Sequence, residues 1–205
     1  MDELSGTKEL IFDSFVQMTS ELGYENVSMR AIADRVGIKV ASIYNHFETK
    51  AKILEYAYDY YAKRQYDNRK SVDEMKKLIE TASAEEIVSA FFYTFETDDR
   101  KRYVRMVLIT KIIYMRLFQD PIANSIYAKN NVNNAEFVTS VLKYGVDIGR
   151  IESSFDLETF AGVFIGAMII MGVNAFADAA YKVGQLDQEK RILALLARLL
   201  SAALK

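Results

Sequence analysis

Apolar residues recur along this chain at helical spacing, and no strand-like alternation competes with them. Residues 5–22 put Leu10, Ile11, Phe15 and Leu22 among the buried positions of a first helix, which Gly23 ends. Ser28 suits the N-cap of a second helix over 28–36, because its hydroxyl accepts from free amides of the first turn. Ile32, Ala33 and Val36 share one face of it, and Gly37 follows where the chain must turn left-handed. A short third helix over about 39–45 spans roughly 10 Å. Ile38, Ile43 and Phe47 return its chain to the apolar side. Thr49 caps a fourth helix, whose tyrosine-rich continuation to residue 70 is expected to be long and partly exposed.

The remaining patterns are helical too. Ser83 and Glu86 make a capping box that opens a helix through Phe95. Asp98 and Asp99 suit the start of the next, over 100–118. Asp120 caps another, with Pro121 in its first turn. Asn130, Asn131, Asn133 and Asn134 are poor helix formers and predict a kink or break in it. It resumes over 137–148 and stops at Gly149. Asp156 opens a very apolar helix to about residue 181, Gly184 marks the turn out, and Asp187 caps a last helix to 204. Residues 160–177 carry no charge, but their flanks (Asp156, Glu158, Asp178) are acidic and lack basic anchors, which argues against a membrane span.

Ala33, Gly37 and Ile43 give the small–glycine–branched spacing of a helix-turn-helix, whose second helix enters a DNA major groove. The match is closer than the general motif. Gly37-Ile38, Ser42-Ile43-Tyr44-Asn45-His46-Phe47 and Lys50 resemble the DNA-binding domain of the tetracycline-repressor (TetR) family. So does the approach, with Phe15, Leu22-Gly23-Tyr24 and Ser28-Met29-Arg30-Ala31-Ile32-Ala33. The resemblance covers about a quarter of the chain. It implies an all-α fold: a three-helix DNA-binding domain over 1–48, then a larger helical effector-binding and dimerisation domain over 49–205. It also implies a homodimer through the last two helices, and a repressor released from a palindromic operator on double-stranded DNA by a small effector.

Composition narrows the chemistry. Half of the 205 residues are hydrophobic and a quarter charged, as in a soluble globule. The absence of cysteine removes disulfides, zinc-thiolate sites and thiol nucleophiles, and a single histidine disfavours a metal site. The N-terminus lacks a basic-then-apolar segment, so a cytoplasmic location is expected. The net charge of −2 does not advertise nucleic-acid binding, but its distribution does. Between residues 28 and 52 stand Arg30, Arg35, Lys39, Lys50 and Lys52 against Asp34 and Glu48. The acidic positions before them, Asp2, Glu3, Glu9, Asp13, Glu21 and Glu25, are expected to face away from the duplex.

The DNA-contacting candidates are Ser28, Arg30, Lys39, Val40, Ser42, Tyr44, Asn45, His46 and Lys50. The hydroxyl of Ser42 suits a base edge or phosphate, and Val40 suits a thymine methyl. By the resemblance, Tyr44 and His46 bond backbone phosphates. Lys50, at a helix start, completes a phosphate site with the free amides there, and Ser28 offers a second. Arg30 and Lys39 suit a base or phosphate. Lys39-Val40 departs from the family's commoner Ser-Lys pair, which leaves the operator sequence open.

Effector candidates are Phe92, Phe95, Tyr103, Val107, Lys111, Met115 and Phe137, although an aromatic stripe is core more often than pocket. On a helical wheel, Lys111 falls among Val104, Val107, Leu108, Ile112, Met115 and Phe118, while Arg102, Arg105 and Arg116 gather elsewhere. A buried ammonium needs a partner. The choices are an acidic or phenolic group of an amphipathic ligand, a carboxylate such as Glu136 or Asp147, or snorkelling to the surface. The rival to a regulator is a small-molecule- or lipid-binding helical bundle that does not bind DNA. No glycine-rich phosphate loop, nucleophile elbow or His–carboxylate pair suggests an enzyme, and no cofactor or metal is expected.

Overall fold

The computed structural model describes residues 4–67, 69–92, 100–175 and 185–205. Among them the chain forms ten α-helices: α1 (Gly6–Leu22), α2 (Met29–Val36), α3 (Val40–Tyr44), α4 (Lys50–Arg64), α5 (Val72–Thr81), α6 (Ala84–Phe92), α7 (Arg100–Arg116), α8 (Pro121–Asp147), α9 (Leu157–Ala175) and α10 (Gln185–Ser201). A single 3₁₀ turn, Tyr24–Asn26, joins α1 to α2. The helices fall into two packing units, 1–67 with 97–127 and 68–96 with 128–205.

The first unit holds the helix-turn-helix. Its core joins Ile11, Phe12 and Phe15 of α1 to Ile32 and Ala33 of α2, Ile43 of α3, Ile53 and Ala57 of α4, and Ile109 and Ile112 of α7. Leu10 and Leu22, expected inside, are exposed. Phe12, Val16 and Thr19 take the inner face instead, because α1 presents apolar residues on more than one side. Helix α4 ends at Arg64, so it is shorter than its tyrosine run implies, and Tyr58, Tyr60 and Tyr61 are buried rather than displayed.

Helix α7 corrects the wheel. Its buried residues are Arg105, Met106, Ile109, Ile112 and Ile113. Val104 and Met115 are exposed, and Phe118, beyond its end, is 93% exposed. The charge drawn inward is Arg105, 9% exposed, not Lys111, which is half-buried. Arg105 donates Nε to Asp13 Oδ1 at 2.5 Å and Nη2 to Asp13 Oδ2 at 3.0 Å, and it also bonds Glu9. Lys101 closes on the same two carboxylates at 2.9 and 3.3 Å. Glu9 and Asp13 of α1 thus face α7, and they neutralise a cation that could not otherwise be buried.

Asp120 begins α8 as expected, accepting from the Ile122 amide at 2.9 Å and the Ala123 amide at 3.4 Å. Burial works to raise its carboxyl, but Tyr58, Arg116 and those two amides outweigh burial and hold it below its ordinary value. The bonds from Arg105 and Lys101 do the same for Glu9. A lowered folded value means that each carboxylate adds stability above its ordinary pKa and loses it as pH falls through the folded one. The melting temperature is therefore expected to fall below about pH 4. Thermal melts between neutrality and pH 3 check this, and Asp120→Asn should flatten the fall.

The second unit contains α5, which sequence reading missed although Ser71 and Glu74 form a full capping box. Ser83 and Glu86 form another, as expected, with Ser83 N donating to Glu86 at 2.8 Å and Glu86 N to Ser83 Oγ at 3.2 Å. The predicted break in α8 is absent: the helix runs unbroken through Asn130, Asn131, Asn133 and Asn134. Asn134 Nδ2 bonds Asn130 Oδ1 at 3.3 Å, one turn apart, and packing outweighs weak propensity. Gly149 ends the segment with φ +76°. Asp156 caps α9, accepting from the Thr159 amide at 3.0 Å. Helix α10 begins at Gln185, so Asp187 lies in its first turn rather than at its cap. Phe95, Asp98, Asp99 and the predicted α9–α10 turn lie outside the described residues. Among those residues, no helix is long and apolar enough to cross a membrane.

One glycine of this unit is required by space. A Cβ on Gly145 would stand 2.6 Å from Ile151 Cδ1 and 2.9 Å from both Ile151 Cγ1 and Ile79 Cγ2. Both isoleucines are buried and branched, so neither can simply swing aside. Gly145→Ala is expected to cost about 1–3 kcal/mol, read by urea denaturation.

Candidate nucleic-acid interface

Helices α2 and α3 owe their geometry to a few local devices. Ser28 Oγ accepts from the Ala31 amide at 3.1 Å and starts α2. Gly37, at φ +76° and ψ +32°, ends it in the left-handed conformation. Its amide bonds Asp34 O at 3.3 Å while the Ile38 amide bonds Ala33 O at 3.0 Å, a Schellman closure. That turn sends the chain directly into α3. Ala33 and Ile43 are fully buried and Phe47 nearly so, which locks the short α3 against α2.

With Ile43 and Phe47 facing inward, the residues between them face out. Tyr44 is 53% exposed, and Asn45 and His46 are exposed. Ser28, Arg30 and Lys39 are exposed, whereas Val40 and Ser42 are half-buried. Nothing in the described core takes up the polar ends of Tyr44 and His46, so both are available to a ligand the size of a duplex. The group presents hydroxyl, amide, imidazole and cation donors, which is the chemistry phosphate oxygens accept.

The local excess of cations is smaller than the count suggests. Arg35 lies 4.0 Å from Glu21, and Lys52 bonds Glu55 at 2.6 Å. Lys50, expected at a phosphate site, is also engaged within the chain. Its ammonium donates to the Tyr24 carbonyl at 2.8 Å and sits 4.1 Å from the centre of that ring, half-buried. What this helix start offers a phosphate is backbone, shaped by Thr49, whose hydroxyl accepts from the Lys52 amide at 3.1 Å. Arg30 and Lys39 remain the exposed cations of the group. Lys8, not singled out in the sequence, lies 5.8 Å from the Phe47 ring and 5.2 Å from Tyr56, at the same end as His46. Its signal was its place one turn before Phe12 on α1.

The effector candidates divide between the two units. In the second, Phe137 is buried edge-on against Phe91, with the Arg69 guanidinium 4.0 Å from its centre, and Phe92 packs 4.5 Å from Phe164. These rings are core. In the first, Tyr103 and Met115 are exposed, and Val107 and Lys111 half-buried. Asp147, one carboxylate considered for Lys111, is paired with Lys143 at 3.1 Å. A cleft of about 620 Å³ between α1 and α7 is lined instead by Asp13, Val16, Gln17, Glu21, Arg100, Lys101, Val104, Arg105 and Leu108.

Comparison with known proteins bears on this end of the chain first. The model of bacterial regulatory proteins of the tetR family matches residues 11–57, which run from Ile11 of α1 to Ala57 of α4. The negative transcriptional regulator IcaR of the biofilm operon icaADBC, from Staphylococcus aureus, is 27% identical over 139 residues, 67% of this chain and 68% of that protein. Among solved structures, the ketosteroid transcriptional regulator KstR2 of Mycobacterium tuberculosis superposes with a TM-score of 0.66 at 17% identity. The match covers 99% of this chain and 97% of that one. A regulator from Saccharomonospora viridis in complex with choline gives 0.67 at 17% identity, over 93% and 95%. At these identities the two structures speak for the fold.

Proposed function

Because the chain belongs to the TetR family of bacterial regulatory proteins, we propose that it is a cytoplasmic, dimeric repressor that a small apolar or amphipathic molecule releases from a palindromic operator. The observation that carries this reading is the outward row Tyr44-Asn45-His46 at the C-terminal end of α3, whose neighbours Ile43 and Phe47 are buried. Helix α3 enters the major groove. Tyr44, His46, Arg30 and Lys39 hold phosphates, and Val40, Ser42 and Asn45 meet base edges. The staphylococcal relative is a negative regulator, which supports repression as the sign.

Dimerisation is assigned to α9 and α10. Val163, Ile170 and Val173 of α9 and Leu195 and Leu199 of α10 are exposed, more apolar surface than a solvated pair of helices needs. Gly162 and Gly166 leave open space where a Cβ would stand, which lets a second backbone come close. A two-fold pairing of these faces makes a four-helix bundle. The effector acts by preferring a dimer geometry in which the two α3 helices miss successive major grooves, and coupling of about 1–3 kcal/mol is enough. The choline complex of the S. viridis structure supports a small organic ligand as the class. No catalytic role is assigned, in keeping with a family of regulators.

Selection of bound duplexes from a random pool tests the reading. It should return a palindrome with half-site centres about 34–36 Å apart, or a multiple of that. Failure to enrich any duplex, with protein shown by mass spectrometry to carry no bound molecule, would sink it and favour a helical carrier.

A further inference from the structure

Tyr24 stands in the 3₁₀ turn between α1 and α2, and two cations lie over its ring. Lys50 Nζ, from the first residue of α4, is 4.1 Å from the ring centre. The Arg116 guanidinium, from the last residue of α7, is 4.3 Å from it. Lys50 also donates to the Tyr24 carbonyl at 2.8 Å. Arg116 is fixed from behind: Nε donates to Asp120 Oδ2 at 3.1 Å, and Nη1 reaches Glu25 at 3.5 Å. Asp120 in turn accepts from Tyr58 of α4 at 3.0 Å while capping α8. The α7–α8 corner and the start of α4 therefore grip the same aromatic ring.

We infer that Arg116 and Tyr24 are positioning residues for DNA binding, fixing the attitude of α2 and α3 from the α7–α8 corner without touching the duplex. The inference rests on the regulator reading above. The turn 24–26 is three residues long, and its own bonds, Asn26 N to Gly23 O at 3.2 Å and Asn26 Nδ2 to Leu22 O at 2.8 Å, tie it back to the end of α1. It leads into α2 and sets where that helix starts. The ring ties the same turn to α4 and α7, because two cations held over it resist tilt as well as sliding. Arginine suits the α7 position, since its planar group can lie on the ring and bond Asp120 at once, whereas lysine offers a point charge. The tyrosine hydroxyl is not part of the grip; ring and carbonyl are.

A displaced α7–α8 corner must then carry Tyr24 with it, and with Tyr24 the start of α2. Half-site affinity responds to that geometry, while loose contact with phosphates along any duplex does not. A loss confined to the operator therefore distinguishes positioning from contact.

The test uses the full chain, the selected operator duplex, and an unrelated duplex at low salt. Tyr24→Leu removes the ring but keeps the carbonyl. Arg116→Lys keeps a charge for Asp120 but loses the planar group. Each is expected to weaken operator binding about tenfold, and the unrelated duplex hardly at all. Tyr24→Phe, which keeps the ring, should bind as the parent does. Circular-dichroism melts of each variant show that it is folded at the assay temperature. Parent-like operator binding by Tyr24→Leu and Arg116→Lys overturns the inference, as does an equal loss on both duplexes or a loss in Tyr24→Phe matching that in Tyr24→Leu. A parent that binds no duplex overturns the regulator reading along with it, so the two failures are told apart by the parent alone.

Discussion

Tyr44→Phe and His46→Ala are each expected to weaken duplex binding by about tenfold, and together by about a hundredfold, without changing which sequence is preferred. A hydrogen bond to a charged partner is worth about 1.5–3 kcal/mol, and 1.4 kcal/mol is a factor of ten. Phosphate contacts carry no base information, so operator and unrelated duplex lose alike. Both side chains are exposed, so folding should change by no more than about 0.5 kcal/mol. Substitutions at Val40 and Ser42 should do the reverse, shifting the preferred sequence more than the total affinity. Titration of both duplexes by fluorescence anisotropy separates the cases. Parent-like affinity in the double variant would move the phosphate contacts elsewhere.

The second large effect is on stability. Arg105→Met should cost about 2 kcal/mol, because it leaves Asp13 and Glu9 with only Lys101. Removing one partner of a fully buried pair costs more, but Asp13 and Glu9 are roughly a quarter exposed, and water offsets part of the loss. Arg105→Lys should recover part, since an ammonium cannot take both oxygens of Asp13 in the forked geometry. Lys111→Met should lie within about 0.5 kcal/mol of the parent. Urea denaturation of the three variants, read as a midpoint shift at constant slope, checks the order.

The helix-turn-helix was readable because each of its turns rests on one residue with one conformational reason: Ser28 caps α2, Gly37 enters the left-handed region, and Thr49 caps α4. Tyr44, Asn45 and His46 followed from the burial of Ile43 and Phe47 on either side. Helix α7 was not legible in the same way. It carries apolar residues all round, so periodicity could not choose its buried face, and the acids that draw Arg105 inward lie on α1, more than ninety positions earlier. What holds Lys50 within the chain was hidden for a similar reason. Its position suited a phosphate, but its nearest acceptor is the Tyr24 carbonyl, a backbone group that no residue pattern advertises. The asparagines of α8 show the limit of propensity, since a 27-residue helix passes through them. Helix α5 was a plain omission, because Ser71-x-x-Glu74 carried the same capping signal as Ser83-x-x-Glu86.

The central claim is that this chain holds a duplex by its phosphates through the helix-turn-helix. The most direct test is the affinity of the selected duplex across salt concentrations, with Tyr44→Phe/His46→Ala alongside. Affinity should fall steeply, about a thousandfold or more between 50 and 200 mM for a dimer with several phosphate contacts per half-site, with a shallower slope in the double variant. A flat salt dependence, or a slope that the double variant leaves unchanged, would contradict it.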